Sequence, residues 1–291
     1  MPSETTLSAP RTSWRYRVAT SVFILLYALL QKARTPIIRR WYDLMSHVDR
    51  DADMTLMNYG WADADVHHTL QPSDEVNRYC LQLYGEVAGA VDLMGRDVLE
   101  IGSGRGGGAS YMSRYLGAGS VTGLDFSPKS IEFCRKHYDI PGLAFRQGNA
   151  EKLDFAEQSF DAVVNIESSH CYGSIPSFLG EVCRVLRPGG HLLYSDYCAA
   201  DQLDNLRHLI MKAGFSILQE LDISAQVLAA LELDDERKRS LIQRKIPSLL
   251  RGLFYEFAGL QGTRSYNSSF RRGEKVYFRF TLQRVDSPVA V

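Results

Sequence analysis

Short apolar runs alternate with amphipathic stretches between residues 97 and 200. Five runs have the length and composition of strands, at residues 97–101, 120–124, 143–147, 160–166 and 191–195. The stretches between them carry helical spacing at residues 109–116, 130–137 and 176–186. Strands that alternate with helices build a parallel sheet covered on both faces. The pattern therefore predicts a doubly wound α/β core.

The flanks of this core are less regular. Residues 203–213 and 225–257 predict helices, whereas residues 215–222 and 275–284 predict strands, the second with the alternation of an edge or antiparallel strand. Upstream, Ser73 and the acids after it indicate the capped start of a helix. We therefore expect a Rossmann-like, seven-stranded, mostly parallel sheet with a helical cap.

The N-terminal arm, residues 1–45, has a different composition. Residues 18–30 carry no charge, and residues 1–42 contain seven basic side chains against a single acid, Glu4. A spanning helix needs roughly 17–25 apolar residues, so this run is short. Two interpretations stay open: residues 14–40 contact an anionic membrane surface, or the apolar helix packs on the protein's own core and closes its active site.

Composition limits the remaining classes. The net charge of −1 argues against a nucleic-acid binder, which needs a basic surface. The five cysteines form no C-x-x-C pair, so they indicate neither a metal site nor a disulfide framework. Free cysteines favour a cytoplasmic protein, which the arm could attach to a membrane surface or anchor there. We expect residues 46–291 to form one catalytic domain, with a core at 84–200 and a cap with the last strands at 201–291.

A glycine-rich loop follows the first predicted strand. Gly102, Ser103 and Gly104 open it, and with Gly107 they satisfy the G-x-G-x-x-G pattern of dinucleotide sites. Glu100, two residues earlier, would repel a pyrophosphate but attract the ammonium group of S-adenosylmethionine (SAM). The loop therefore favours SAM over NAD. The alternative for Glu100 is an acid at the strand surface.

Polar residues also follow the next two strands. Asp125 ends the second strand, where an acid accepts both ribose hydroxyls of a nucleoside; the alternative is a helix cap. Asn149 follows the third strand with Ala150 and Glu151, and its amide oxygen suits the adenine amino group. Phe126 packs either on adenine or in the core.

The fourth and fifth strands supply the candidates for catalysis. Their carboxyl ends carry His170 and Asp196, which we expect to face one crevice. A neutral His170 with an ordinary pKa would accept a hydroxyl proton while Asp196 orients the ring; the alternative is a structural histidine or an adenosyl contact. Glu167 is a second candidate base and cofactor contact. A carboxylic acceptor would need no base, and His170 would then only position it.

Aromatic residues of the cap predict a hydrophobic pocket for the acceptor, although aromatic side chains at helical spacing are more often core. We expect some of the following to line it: Tyr59, Trp61, Phe254, Tyr255, Phe257 and Tyr266.

Several motifs together resemble class I SAM-dependent methyltransferases. They are V-L-E-I-G-x-G-x-G from residue 98, the acid of the second strand, G-N-A-E-K-L-D-F from residue 148, S-F-D-A-V-V-N from residue 159 and R-V-L-R-P-G-G from residue 184. Asn149 stands where such enzymes more usually carry an acid. The resemblance implies SAM as the cofactor.

A narrower resemblance covers more of the chain. The motifs S-D-E-x-N-R from residue 73, G-G-G-A-S-Y from 106, E-S-S-H-C-Y from 167 and G-L-Q-G-T from 259 are similar to mycobacterial phthiotriol and phenolphthiotriol dimycocerosate methyltransferases and to fatty-acid O-methyltransferases. This implies O-methylation of a hydroxyl or carboxyl group on a lipid-like or polyketide-like molecule. N- or C-methylation, a SAM fold with other chemistry, and a non-catalytic membrane-associated binding protein stay as alternatives, and the oligomeric state is open.

Overall fold

The structure, a computed structural model, describes residues 54–66, 68–266 and 271–285. The N-terminal arm, with the apolar helix that the sequence predicts for it, lies outside these residues. Within the described ranges, no helix has the length and apolar character that crossing a membrane requires.

Seven strands form one sheet, in the order β3-β2-β1-β4-β5-β7-β6. Neighbours from β3 to β5 are parallel, and only β7 runs antiparallel, inserted between β5 and β6. The prediction of a seven-stranded, mostly parallel sheet is confirmed. The strands are β1 Asp97–Ile101, β2 Ser120–Asp125, β3 Leu143–Gln147, β4 Phe160–Ile166, β5 Leu186–Ala199, β6 Phe215–Asp222 and β7 Lys275–Arg284.

Helices cover both faces of the sheet because successive strand residues point to opposite sides. In β1, Val98 packs into one buried cluster with Leu83 and Met112, whereas Leu99 packs into another with Phe178. A third, smaller cluster lies in the cap. The helices are α1 Arg78–Ala88, α2 Gly107–Tyr115, α3 Pro128–His137, α4 Ile175–Val185, α5 Leu203–Lys212, α6 Ser224–Leu233, α7 Asp235–Lys245 and α8 Arg251–Phe257.

The structure corrects two element boundaries. The expected helix over 225–257 is three helices, and α7 stops because Ile246 is extended before Pro247, a residue that disfavours helical backbone in its predecessor. Strand β5 begins at Leu186, five residues earlier than expected. Leu186 pairs with Phe160 before the register shifts.

The expected cap at Ser73 is wrong. Ser73 lies inside a 3-10 helix, Pro72–Asn77, and α1 begins only at Arg78, without a side-chain cap. The acid after it has another role, because Asp74 accepts a hydrogen bond from Arg114 at 2.7 Å. The acidic start of this segment therefore joins it to α2.

The sheet directions decide which residues meet. Parallel strands bring the carboxyl ends of β1, β2, β4 and β5 to one edge. Since β7 is antiparallel to β5, its first residue, Lys275, pairs with Ala199 at that same edge.

Candidate active site

A cavity opens at the carboxyl edge of the sheet. Its walls come from the glycine-rich loop, the ends of β2 and β3, the segment after β4 and residues 55–58. The residues that line it are Thr55, Leu56, Met57, Asn58, Tyr84, Ile101, Gly102, Ser103, Gly104, Arg105, Leu124, Asp125, Phe126, Ser127, Gly148, Asn149, Ala150, Glu151, Ile166, Glu167, Ser168, Cys171 and Tyr172. Most of the predicted cofactor residues are among them.

Two glycines shape the loop in different ways. Gly102 has φ +79°, and a Cβ there would lie 2.3 Å from Ser168 Oγ, so this glycine permits close packing. Gly104 has φ +52°, and a Cβ there would meet only the Cε of Met57, at 3.3 Å. Gly104 therefore leaves open space in the cavity for a ligand.

Asp125 is fixed at the cavity wall by backbone amides. Gly104 donates to Oδ2 at 2.9 Å, and Ser127 donates to Oδ1 at 2.8 Å. Burial raises the pKa of Asp125 to about 6, against these two hydrogen bonds. Ser127, not Asp125, caps α3 by accepting from Ser130 N. Each carboxylate oxygen keeps a second lone pair, which suits two ribose hydroxyls.

Glu100 does not line the cavity. Strand alternation turns it toward α1, where its Oε1 accepts a hydrogen bond from Tyr84 at 2.7 Å. A Cβ at Gly108 would lie 2.4 Å from Oε1, so α2 closes over this carboxyl. Burial raises the pKa of Glu100 to about 7. Tyr84, which does line the cavity, lies between this carboxyl and the open space, and the expected pairing of Glu100 with a ligand ammonium stays a prediction.

The far end of the cavity is built from the residues after β2 and β3. Phe126 is 40% exposed at this wall, beside Asp125. Asn149 uses its Oδ1 to accept from Glu151 N at 2.9 Å, which leaves one lone pair of that oxygen for an adenine amino group. Glu151 in turn accepts from Gly173 N, at 2.5 Å. The acid therefore ties the turn after β3 to the loop after β4.

Glu167 joins the cavity to the neighbouring cap. Its backbone has φ +46°, a strained conformation for a residue with a side chain, and its N–H donates to Ser195 O at 2.9 Å. Its Oε1 accepts from Tyr59 N and from the Tyr277 hydroxyl, each at 2.6 Å. Burial raises the pKa of Glu167 to about 7. The positive φ of Glu167 orients its carboxyl group toward Tyr59 and Tyr277.

His170 and Asp196 form the predicted pair. The His170 Nδ1 lies 2.8 Å from Asp196 Oδ1, and the His170 backbone N–H donates to Oδ2 at 3.0 Å. Ser169 Oγ and Tyr197 N also donate to this carboxylate, which is 1% exposed. The pair is therefore held rigidly in place.

The surroundings of His170 affect its protonation. Burial lowers the pKa of the imidazole, but the charge of Asp196, its hydrogen bond to the ring and Cys171 together outweigh burial and raise the pKa well above its ordinary value. The pKa of Asp196 is lowered in return, by the charge of His170 and by hydrogen bonds, despite the opposing effect of burial. These directions favour an imidazolium paired with a carboxylate, whereas the sequence led us to expect a neutral imidazole. His170 lies just behind the cavity lining, which its neighbour Cys171 reaches.

Aromatic rings surround this pair in a way that the sequence did not indicate. Tyr197 stacks on His170 with centroids 4.7 Å apart, and on Tyr59 at 5.9 Å. Tyr277 lies 6.2 Å from Tyr197. Of the cap aromatics expected to line a pocket, Tyr59 reaches this group.

The other cap aromatics do not line the cavity. Trp61, Phe254 and Tyr266 are buried in hydrophobic clusters, as the core alternative held. Tyr255 packs beside the cap cluster, and Phe257 is 43% exposed. Helical spacing alone did not separate these packing roles from substrate contact.

The charge of the cavity fits a cationic nucleoside. Three carboxyl groups line it, those of Asp125, Glu151 and Glu167. In the described part of the lining the one cationic residue is Arg105, whose guanidinium lies over the Phe133 ring, 3.6 Å from its centroid. A pyrophosphate would be repelled by such a wall, whereas the ammonium and sulfonium groups of SAM would be attracted.

Comparisons with known proteins agree with this geometry. A family model described as a methyltransferase domain matches residues 99–194. A phthiotriol/phenolphthiotriol dimycocerosates methyltransferase of Mycobacterium leprae is 40% identical over 242 residues, which cover 83% of this chain and 89% of the relative. A fatty-acid O-methyltransferase of Mycolicibacterium smegmatis is 41% identical over 203 residues, covering 69% and 74%.

A solved structure shares the fold. The geranyl diphosphate C-methyltransferase of Streptomyces coelicolor A3(2), in complex with S-adenosyl-L-homocysteine, superposes with a TM-score of 0.63 at 18% identity. The match covers 87% of this chain and 98% of that one. At this identity the likeness concerns the fold only.

Proposed function

The chain belongs to the SAM-dependent methyltransferase family of these mycobacterial relatives, and from this premise we propose that it methylates an oxygen atom of a hydrophobic, lipid-like or polyketide-like molecule. SAM supplies an electrophilic methyl group. Asp125 would hold its ribose hydroxyls, Asn149 and Phe126 its base, and Glu167 its positive charge. The open space above Gly104 accommodates the ligand itself.

One observation carries the proposal on the acceptor side. The segment after β4 lines the cavity with Glu167, Ser168 and Cys171, and the same segment holds His170 against Asp196. A proton-handling pair therefore stands beside the place where the methyl group is delivered. Alignment of an acceptor oxygen with that methyl group supplies most of the catalysis in a direct displacement.

The His170–Asp196 pair is compatible with either oxygen acceptor, a hydroxyl group or a carboxylate. With a hydroxyl, the imidazole must first lose its proton to act as a base, and Asp196 then stabilises the imidazolium that forms. With a carboxylate, no proton needs to leave, and the imidazolium positions the anion. Both are O-methylation, and both need a hydrophobic molecule of the kind named for the two relatives.

The test is a transfer assay with SAM carrying a deuterated methyl group. A panel of long-chain fatty acids, alcohols, phenols and amines is offered to the full chain, and S-adenosylhomocysteine release is measured with the product mass. We expect labelled esters or ethers. Labelled amines or carbon-methylated products would contradict O-methylation. Tight SAM binding without any product would favour the non-catalytic alternative.

A further inference from the structure

A lysine stands at the acceptor edge without an evident structural role. Lys275 is the first residue of β7, and its Nζ lies 4.4 Å from the centroid of the Tyr197 ring. The side chain is only partly exposed. Among the described residues, none of the ion pairs includes Lys275. A cation partly withdrawn from water is costly unless an anion accompanies it.

The position of Lys275 places it beside His170. In β7, Lys275 and Tyr277 point to the same face, and Tyr277 pairs with Tyr197 across the strands. The Tyr197 ring contacts both the lysine ammonium and the imidazole of His170. Tyr277 donates to Glu167, which lines the cavity. The lysine and His170 therefore contact the same Tyr197 ring, at the edge of the sheet where the cavity opens.

The nearby carboxylates are already engaged. Asp196 is bound by His170, Ser169 and the backbone of Tyr197. Glu167 accepts from Tyr277 and from the backbone of residue 59. Burial lowers the pKa of Lys275 and the charge of Asp196 opposes this, so a further anion held beside the ammonium would stabilise its charged form. A second anion would complete the charge balance of this wall.

We propose that Lys275 is a specificity residue that binds the carboxylate of a fatty-acid-like acceptor, with His170 orienting the same group. This assignment rests on the proposed function and selects one of its two acceptors. A carboxylate oxygen forms the new O–C bond with its lone pair as the methyl–sulfur bond breaks, and the sulfur keeps the bonding electrons. No proton is transferred, so the protonated histidine is compatible with the reaction.

The charge argument predicts which kinetic constant changes. The carboxylate loses its charge as the ester forms, so Lys275 stabilises the bound acid more than the transition state. Loss of the lysine should therefore raise KM without lowering kcat. A hydrogen-bonded charge pair of this kind corresponds to about 10–100-fold in KM.

The experiment compares the Lys275→Met and Lys275→Arg variants of the full chain on two acceptors, a C16 fatty acid and the C16 alcohol. We expect the KM for the acid to rise about 10–100-fold in Lys275→Met, with the KM for the alcohol and for SAM unchanged. Lys275→Arg should restore the acid KM to within a few-fold. The control is Lys212→Met, at an exposed lysine, and thermal unfolding of each variant verifies folding.

Four results would overturn the assignment. Equal changes in KM for acid and alcohol would make Lys275 structural, and an unchanged acid KM would remove it from the site. If the wild-type chain methylates only the alcohol, O-methylation stands but the carboxylate subsite is wrong. Products from amines alone would instead remove the proposed function, and the Lys275 assignment with it.

Discussion

The two halves of the cavity edge are constructed differently. The cofactor half, at the ends of β1–β3, is made mainly from glycines and backbone N–H groups, with the carboxyl groups of Asp125 and Glu151. The acceptor half, at the ends of β4, β5 and β7, is made from side chains that come from four distant segments: Tyr59, Glu167–Tyr172, Asp196–Tyr197 and Lys275–Tyr277. The first half depends on backbone shape and the second on side-chain charge.

This difference separates cofactor binding, which we expect to stay constant among relatives, from acceptor preference, which we expect to vary. A backbone cradle tolerates few changes, because its glycines have positive φ, and a side chain would clash at Gly102 and fill the ligand space at Gly104. A wall made of side chains changes its acceptor preference when one charged residue is replaced. We therefore expect substitutions in the cofactor half to abolish binding, and substitutions in the acceptor half to change preference or pH dependence.

The largest effect should come from Gly104→Val. A branched side chain at φ +52° is strained and fills the open space above the loop, so SAM affinity should fall by about 100-fold or more, equivalent to ~3 kcal/mol. Isothermal titration calorimetry measures the loss. The matched control is Gly180→Val, where a Cβ meets nothing within 4 Å. Unchanged affinity in Gly104→Val would refute the position of the cofactor site.

The next effect concerns the acceptor half. His170→Ala should lower turnover on an alcohol by about 100-fold, the usual contribution of a general base, while SAM affinity changes little. Steady-state kinetics with calorimetry separates the two quantities. An equal loss of both would give His170 a structural role.

The pH dependence sharpens this distinction. Because Asp196 raises the pKa of His170, the imidazolium persists to a higher pH than in a free histidine. Turnover of an alcohol should rise as pH increases through that raised pKa, since only the neutral imidazole accepts a proton. Methylation of a carboxylate should decline over the same range. Identical pH profiles for the two acceptors would contradict both roles of His170.

A smaller effect is expected for Glu100, on the pH dependence of the free energy of unfolding. Burial raises the pKa of Glu100 from 4.5 to about 7, so between these values the folded chain keeps a proton that the unfolded chain has lost. The contribution of Glu100 to the free energy of unfolding is therefore present below pH 4.5 and is lost as pH rises toward 7, by about 1–3 kcal/mol.

Glu100→Gln should remove that part of the pH dependence, because an amide does not titrate. Urea unfolding at several pH values, with the exposed Glu157→Gln as control, isolates it. A variant whose stability varies with pH as the wild type does would show that Glu100 is ionised throughout.

The smallest effect concerns the arm. Removal of residues 1–35 should weaken binding to anionic vesicles several-fold, because it removes most of the positive charge of residues 1–42, and should leave the sheet folded. Vesicle sedimentation with neutral lipid as the control measures this. Aggregation of the truncated chain would instead place the arm in the core.

The fold was largely predictable from local pattern. Strands β1, β3 and β4 begin and end at the predicted residues, because each is an apolar run between turn-forming or charged residues. The position of the SAM half was predictable for a similar reason, since Gly104 lies three residues after β1 and Asp125 ends β2. The burial of Glu100 under α1 and α2 could not be predicted, because spacing does not say which helix will cover a side chain.

The acceptor half could be predicted only in part. His170 and Asp196 follow consecutive strands of the core, so their meeting could be expected. Lys275 could not be placed, because nothing local shows that β7 inserts antiparallel between β5 and β6. The protonation of His170 likewise depends on burial and on the neighbours of Asp196, which come from folding.

The sequence by itself determined the alternation of strands and helices, the glycine loop and the acids that follow the strands, because these depend on neighbours along the chain. Only the tertiary structure decided that Tyr84 stands between Glu100 and the cavity, and that a lysine from the last strand lies beside His170. The physical reason is that burial and charge pairing are properties of contacts between distant segments, and those contacts exist only after the sheet has closed.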